Sequence, residues 1–194
     1  MIVLKLGGSL LSQTTLIQYL ELARLEGKGQ VVIVPGGGVF ADQVRLTQKQ
    51  WQYNDRTAHY MAILAMQQMA LLLQGLCSDL VLVNKLAAIT PTLQQGKVVI
   101  WSPLLEQLDK ADIPATWDIT ADSLAAWLAM QLVAERLVLV KSADIPNNAT
   151  LEQLSTLGII DSAFVGMVYN SPLIIECISV HQLSTFARNL NNHA

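Results

Sequence analysis

The sequence predicts an α/β fold, a mainly parallel sheet with helices on both faces, as one domain over residues 1–194. Three observations lead there. Short apolar runs alternate with longer segments of helical period. Two of the runs, Val31–Val34 and Leu137–Val140, are apolar at every position, which suits strands buried on both faces and therefore central and parallel. Glycine clusters follow the first two runs, at Gly7-Gly8 and at Gly36-Gly37-Gly38, where a strand turns sharply into the next element.

Along the chain, the first strand is expected at Ile2–Leu6, followed by a helix over Thr14–Glu26 with Leu16, Ile17, Leu20 and Ala23 on one stripe. The second strand is Val31–Val34. A long helix over Asp55–Leu73 carries Ala58, Met61, Ala62, Ala65, Met69 and Leu72 on one face. Strands are then expected at Leu80–Val83, Val98–Trp101 and Ala115–Ile119, a third helix at Asp122–Glu135, and strands at Leu137–Val140 and Leu173–Ile178. The segment Ser142–Thr156, with Pro146-Asn147-Asn148, is expected to be the least ordered part of the interior.

The hydrophobic share of 52% against 14% charged residues supplies one substantial core. Every long apolar stretch is interrupted, Met61–Met66 by Gln67-Gln68 and Met69–Leu73 by Gln74, so none reaches the roughly 18–20 apolar residues of a spanning helix. No membrane partner is expected. The surplus hydrophobicity is read as buried interior with a subunit interface added, that is, as a homo-oligomer. Twelve Lys+Arg against fifteen Asp+Glu give a net charge of -3, and no basic run exceeds a pair, which argues against nucleic acid. Cys77 and Cys177 fit neither a zinc nor a redox spacing, and the N-terminus is a poor signal peptide because Lys5 lies inside its apolar segment. A cytoplasmic protein is expected. His59, His181 and His193 share no metal-ligand spacing, so no protein metal site is expected.

The chemistry is concentrated at the glycines. Without a Cβ in the way, backbone N–H groups can approach an anion, and a helix starting next adds its positive dipole end. Lys5-Leu6-Gly7-Gly8-Ser9 and Pro35-Gly36-Gly37-Gly38, at the carboxyl ends of neighbouring parallel strands, would together form a phosphate cradle. Either alone is equally readable as a tight connection. Neither fits G-x-x-x-x-G-K-[ST] or G-x-G-x-x-G, which weighs against a Walker-type NTPase and a dinucleotide enzyme. Lys5 stands in an apolar strand, and a buried ammonium needs an anion or a carboxylate unless it reaches water at the strand end. Asp118, Thr120, Asp122 and Ser123 crowd the start of the third helix. Capping explains one or two of them; beyond that, Asp122 could hold Lys5 while Asp118 or Thr120 meets substrate or metal-bound water.

In their order along the chain, Lys5–Ser9, Pro35–Gly38 and Asp122–Ala126 resemble the amino acid kinase family of carbamate, acetylglutamate, aspartate, uridylate and isopentenyl phosphate kinases, over about residues 1–145. Within it, Gly36–Arg45, Thr57–Met66 and Trp117–Ser123 are similar to the small archaeal-type kinases of methanofuran biosynthesis, which turn an aminomethylfuran-methyl phosphate into a diphosphate. The resemblance implies a three-layer α/β/α sandwich, ATP with Mg2+ brought in by the nucleotide, and transfer to a small phosphorylated substrate by positioning and charge neutralisation. It implies that Lys5 binds the transferred group, that Gly7, Gly8, Ser9, Gly36, Gly37 and Gly38 form its cradle, and that Asp122 orients the lysine. Arg45 is a candidate for the acceptor phosphate, since guanidinium suits bidentate contacts; it is equally readable as a solvated helix residue. His59, Asp118 and Thr120 are further substrate candidates, and Ser142 and Asp144 are nucleotide candidates.

The chain departs from the family pattern in its later part. Gly166-Met167-Val168-Tyr169 begins the family's G-M-x-x-K, yet no lysine follows Lys141. Lys141, at the end of the Leu137–Val140 strand, could supply the second catalytic cation or lie at the surface. The family's D-G turn reads Asp144-Ile145-Pro146 here, and a β-branched residue forgoes the positive φ that glycine allows. The nucleotide-side part, residues 137–194, is short. A non-catalytic protein that binds or senses small anions on the same scaffold is the alternative reading.

Overall fold

The computed structural model describes residues 1–12 and 14–191. Six strands, β1 (Ile2–Leu6), β2 (Val31–Pro35), β3 (Val81–Val83), β4 (Val99–Trp101), β5 (Arg136–Lys141) and β6 (Ile174–Ser179), form one sheet in the order β3-β4-β2-β1-β5-β6. Every neighbouring pair is parallel. Parallel neighbours require crossovers. These are supplied by α1 (Thr15–Glu26), α2 (Gly38–Trp51), α3 (Asp55–Leu76), α4 (Leu86–Gln94), α5 (Leu105–Lys110), α6 (Ala121–Gln131), α7 (Leu151–Thr156) and α8 (Phe164–Val168), with α9 (Leu183–Asn191) closing the described chain. No helix among the described residues is long and apolar enough to cross a membrane.

Strand alternation decides which side chains share a face. Ile2, Leu4 and Leu6 of β1 join Val31, Ile33, Val138 and Val140 in a core with Leu16, Tyr19 and Leu20 of α1 and Phe186 of α9. Val3 joins Val32, Val34, Leu137 and Leu139 in the opposite core, which α6 covers with Leu124, Ala125, Ala126, Leu128 and Ala129. Trp127 of α6 lies beside Trp101 of β4 there, ring centroids 6.0 Å apart. Lys5 and Lys141 have the parity of Val3 and Leu139, so both belong to the α6 face. The result is the three-layer α/β/α sandwich expected, with the central strands where their apolar runs placed them.

Three local expectations are corrected. Ala115–Ile119 is no strand. Asp112 has a left-handed backbone at φ 51°, Pro114 lacks a ladder donor, and the Trp117 indole donates to Gln48 Oε1 at 2.6 Å, so the segment leaves the sheet and lies against α2. The third helix stops at Gln131 instead of Glu135, with Val133 at φ 50° just beyond it. Within Ser142–Thr156, residues Leu151–Thr156 are helical because Thr150 and Gln153 form a reciprocal capping box.

Candidate active site

Asp122, in the first turn of α6, is 2% exposed and lies between two lysines. Its Oδ1 is 2.7 Å from Lys5 Nζ, and Lys141 Nζ donates to its Oδ2. Lys5 is 5% exposed and the Lys141 side chain 12%, which rules out a surface role for Lys141. The small residues of α6 bring its first turn close enough to the sheet for this contact. Burial alone would raise the Asp122 carboxyl, but the ammonium groups of Lys5 and Lys141 outweigh it and hold the group below the usual carboxylate range. Burial, reinforced by Lys5, lowers the Lys141 ammonium from its ordinary value despite Asp122. Two cations thus share one buried anion, leaving an excess positive charge where water is scarce.

Next to this centre the two glycine loops pack back to back. A Cβ on Gly8 would come within 2.2 Å of the Gly38 nitrogen, and one on Gly36 within 2.5 Å of the Gly8 nitrogen. Gly38 takes φ +55° as it opens α2. The amides divide into two groups. Gly7 N–H donates to Val140 O at 3.1 Å and Gly36 N–H to Leu6 O at 2.8 Å, so both continue the sheet ladder. The amides of Gly8, Gly37 and Gly38 lie beyond the ladder. Ser9 Oγ and Ser142 Oγ are 2.8 Å apart and join the first glycine loop to the segment after β5.

Some of these residues line a cleft of about 200 Å³, whereas Asp122, Lys141 and Ser142 are outside its lining. Lys5, Gly8, Ser9, Gly36, Gly37, Gly38 and Thr120 face it from the sheet side, and α2 presents Ala41, Asp42 and Arg45. From α3 come His59, Ala62, Ile63 and Met66, a single stripe at helical spacing. Arg45 is 3.2 Å from Asp42 and lies over the Trp117 ring, 4.3 Å from its centroid. His59 is buried, which lowers its imidazole from the ordinary value even with Asp109 near, and it makes no hydrogen bond among the described residues. The cleft therefore joins a cationic, amide-rich end to a mainly apolar wall carrying one guanidinium and one neutral imidazole.

Other sequence candidates stand elsewhere. Asp118 accepts from the Ser162 hydroxyl at 2.8 Å and is outside the cleft lining, as is Gly7. Asp144 is exposed on the loop after β5. His193 lies outside the described residues. Sequence reasoning missed the site role of Trp117, which lines the cleft from the 111–120 loop and donates to Gln48 of α2, and Asp161, which accepts from Thr120 and Ser123 at the start of α6. No local spacing marks a carboxylate that caps a helix from 41 residues away.

A model of the amino acid kinase family matches residues 1–148, and the chain belongs to that family of small-molecule kinases. A [5-(aminomethyl)furan-3-yl]methyl phosphate kinase of Methanocaldococcus jannaschii is 26% identical over 146 residues, covering 73% of this chain and 66% of its own length, just under two thirds. Among solved structures, the uridylate kinase of Archaeoglobus fulgidus superposes with a TM-score of 0.71 at 18% identity, covering 96% of this chain and 95% of that one. A UMP kinase of Bacillus anthracis gives 0.73 at 14% identity over 98% and 91%. These structures share the fold of this chain.

Proposed function

We propose that the chain transfers the γ-phosphoryl group of ATP to a small phosphorylated acceptor resembling aminomethylfuran-methyl phosphate. The observation that carries this reading is one buried carboxylate holding two ammonium groups beside two interlocked glycine loops. An unbalanced buried charge is costly alone and favourable once a phosphate enters. Phosphoryl transfer asks little else of a protein than positioning and charge neutralisation. In this reading Lys5 and the amides of Gly8, Gly37 and Gly38 contact the transferred group, and Asp122 fixes both lysines. Lys141 supplies the nucleotide-side cation for which no later lysine exists. The loop after β5, which carries Ser142 and Asp144 and closes a cavity of about 390 Å³ against β6, is assigned to the nucleotide. Among the described residues no group of three or more His, Cys, Asp or Glu could hold a metal ion, and Mg2+ is assigned to the nucleotide phosphates.

An acceptor that is itself a phosphate needs no general base, so cationic clamping takes the place of proton removal. Arg45 is suited to that phosphate, and the wall of Ala62, Ile63, Met66 and Leu124 to a flat apolar ring. The relative's 26% identity supports the furan ester over other phosphate acceptors. Titration calorimetry with ADP and ATP in Mg2+ tests the reading. Both nucleotides are expected to bind and to raise the melting temperature; absence of binding at millimolar concentration would overturn it, and binding without product would favour the regulatory alternative.

A further inference from the structure

The kinase reading uses Lys5, Asp122, Lys141 and the glycine loops but gives no role to Asp161. That carboxylate comes from the segment between α7 and α8 and meets the helix on which Asp122 sits. Helix α6 begins after Thr120, whose own side chain caps none of the helix amides. The first amides of a helix need acceptors. Asp161 supplies them: the amides of Thr120 and Ser123 donate to its Oδ2 at 2.8 and 2.9 Å, and the Thr120 hydroxyl donates to its Oδ1. Asp122 lies between the two capped residues, so the turn that Asp161 ties down is the turn that places Asp122 between the lysines.

Capping requires an acceptor but no charge, since asparagine caps as well as aspartate. The charge has a separate use. Lys5 and Lys141 present two ammonium groups to the single carboxylate of Asp122. We propose that Asp161 is a positioning residue for this centre, holding the first turn of α6 in register, and that its carboxylate offsets part, not all, of the excess positive charge at Lys141. The inference rests on the kinase reading of the same centre. The charged groups around Lys141 are Lys5 from β1, Asp122 from α6 and Asp161 from the α7–α8 segment. Cys177 of β6 also faces it, with its thiol pushed up to about 11 by burial and therefore neutral.

Asp161→Asn separates the two roles. The amide oxygen still accepts from both backbone N–H groups and the Thr120 hydroxyl can turn to accept from the amide nitrogen, so only the charge goes; Asp161→Ala removes both. Losing an anion near an ammonium favours the neutral amine, so Lys141 would give up its proton at lower pH. With ATP, Mg2+ and aminomethylfuran-methyl phosphate, Asp161→Asn is expected to melt close to wild type and keep the acceptor KM, while the alkaline limb of kcat moves to lower pH. Asp161→Ala should also melt lower. Superimposable pH profiles for wild type and Asp161→Asn would overturn the proposal, as would an Asp161→Asn melt as low as that of Asp161→Ala. If the wild type turns over no acceptor, the kinase reading fails by itself. The pH dependence of ADP binding by calorimetry then decides on Asp161: earlier alkaline loss of affinity in Asp161→Asn supports the charge role, and identical curves refute it.

Discussion

Removing the carboxylate of Asp122 and removing one of its ammonium partners have different consequences. Asp122→Asn leaves two buried ammonium groups without the carboxylate they share and should cost about 3–5 kcal/mol by urea denaturation at neutral pH, together with turnover. Lys5→Met should also abolish turnover but cost less stability, because Lys141 still pairs with Asp122; a larger loss than for Asp122→Asn would contradict the shared-carboxylate account. His59 gives a pH prediction of definite sign. Burial holds its folded-state value below the ordinary 6.5, so the unfolded chain takes up the proton first. Its contribution is complete above about pH 6.5 and is lost as pH falls below that value toward the folded one. His59→Leu should flatten this loss in melts between pH 8 and pH 5 and raise the acceptor KM; an unchanged slope would refute the assignment. At this scale Lys5 and Asp122 were legible because a lysine in an apolar strand and a carboxylate surplus at a helix start both demand partners. Asp161 was not, since a single aspartate among Ile160 and Ser162 carries no such demand.

The interlocked glycine loops make the strongest element-scale prediction. In Gly8→Ala the new Cβ would meet the Gly38 backbone at 2.2 Å, where no flexible side chain can give way, so both stability and ADP affinity should fall. Gly75→Ala is the matching control on α3. Nothing lies within 4 Å of its Cβ, and the helix should gain up to about 0.5–1 kcal/mol with ADP affinity unchanged. Equal effects of the two substitutions on ADP binding would remove the glycine cradle from the account. The sequence disclosed that two glycine loops would adjoin, because Val31–Val34 and Ile2–Leu6 read as neighbouring strands. It did not disclose that Gly7 and Gly36 spend their amides on the ladder, which depends on register. The 111–120 segment misled for a related reason: a short run such as Ala115–Ile119 has strand-like composition, and only the occupied sheet positions and the Trp117–Gln48 contact show that it crosses the cleft.

For the whole molecule, the central, parallel placement of Val31–Val34 and Leu137–Val140 followed from their composition, whereas at the edges β3 begins one residue later than expected and β6 runs one residue further along the chain. Apolar surface remains on the adjoining helices α2 and α3, where Leu46 is 61% exposed, Trp51 71% and Leu71 61%. This surface supports the expected homo-oligomer, and light scattering at micromolar concentration should give a mass above that of one chain; a monomer would contradict it. The fold brings Lys5, Asp122 and Lys141 together from β1, α6 and β5, and the central claim is that this meeting point moves a phosphoryl group. Its most direct measurement is transfer of labelled γ-phosphate from ATP to aminomethylfuran-methyl phosphate in Mg2+, comparing wild type with Lys5→Ala. The account predicts a labelled diphosphate product from the wild type and a loss of about a hundredfold or more in the variant. A Lys5→Ala rate equal to wild type, or a wild type that binds ADP yet forms no labelled product, would contradict it.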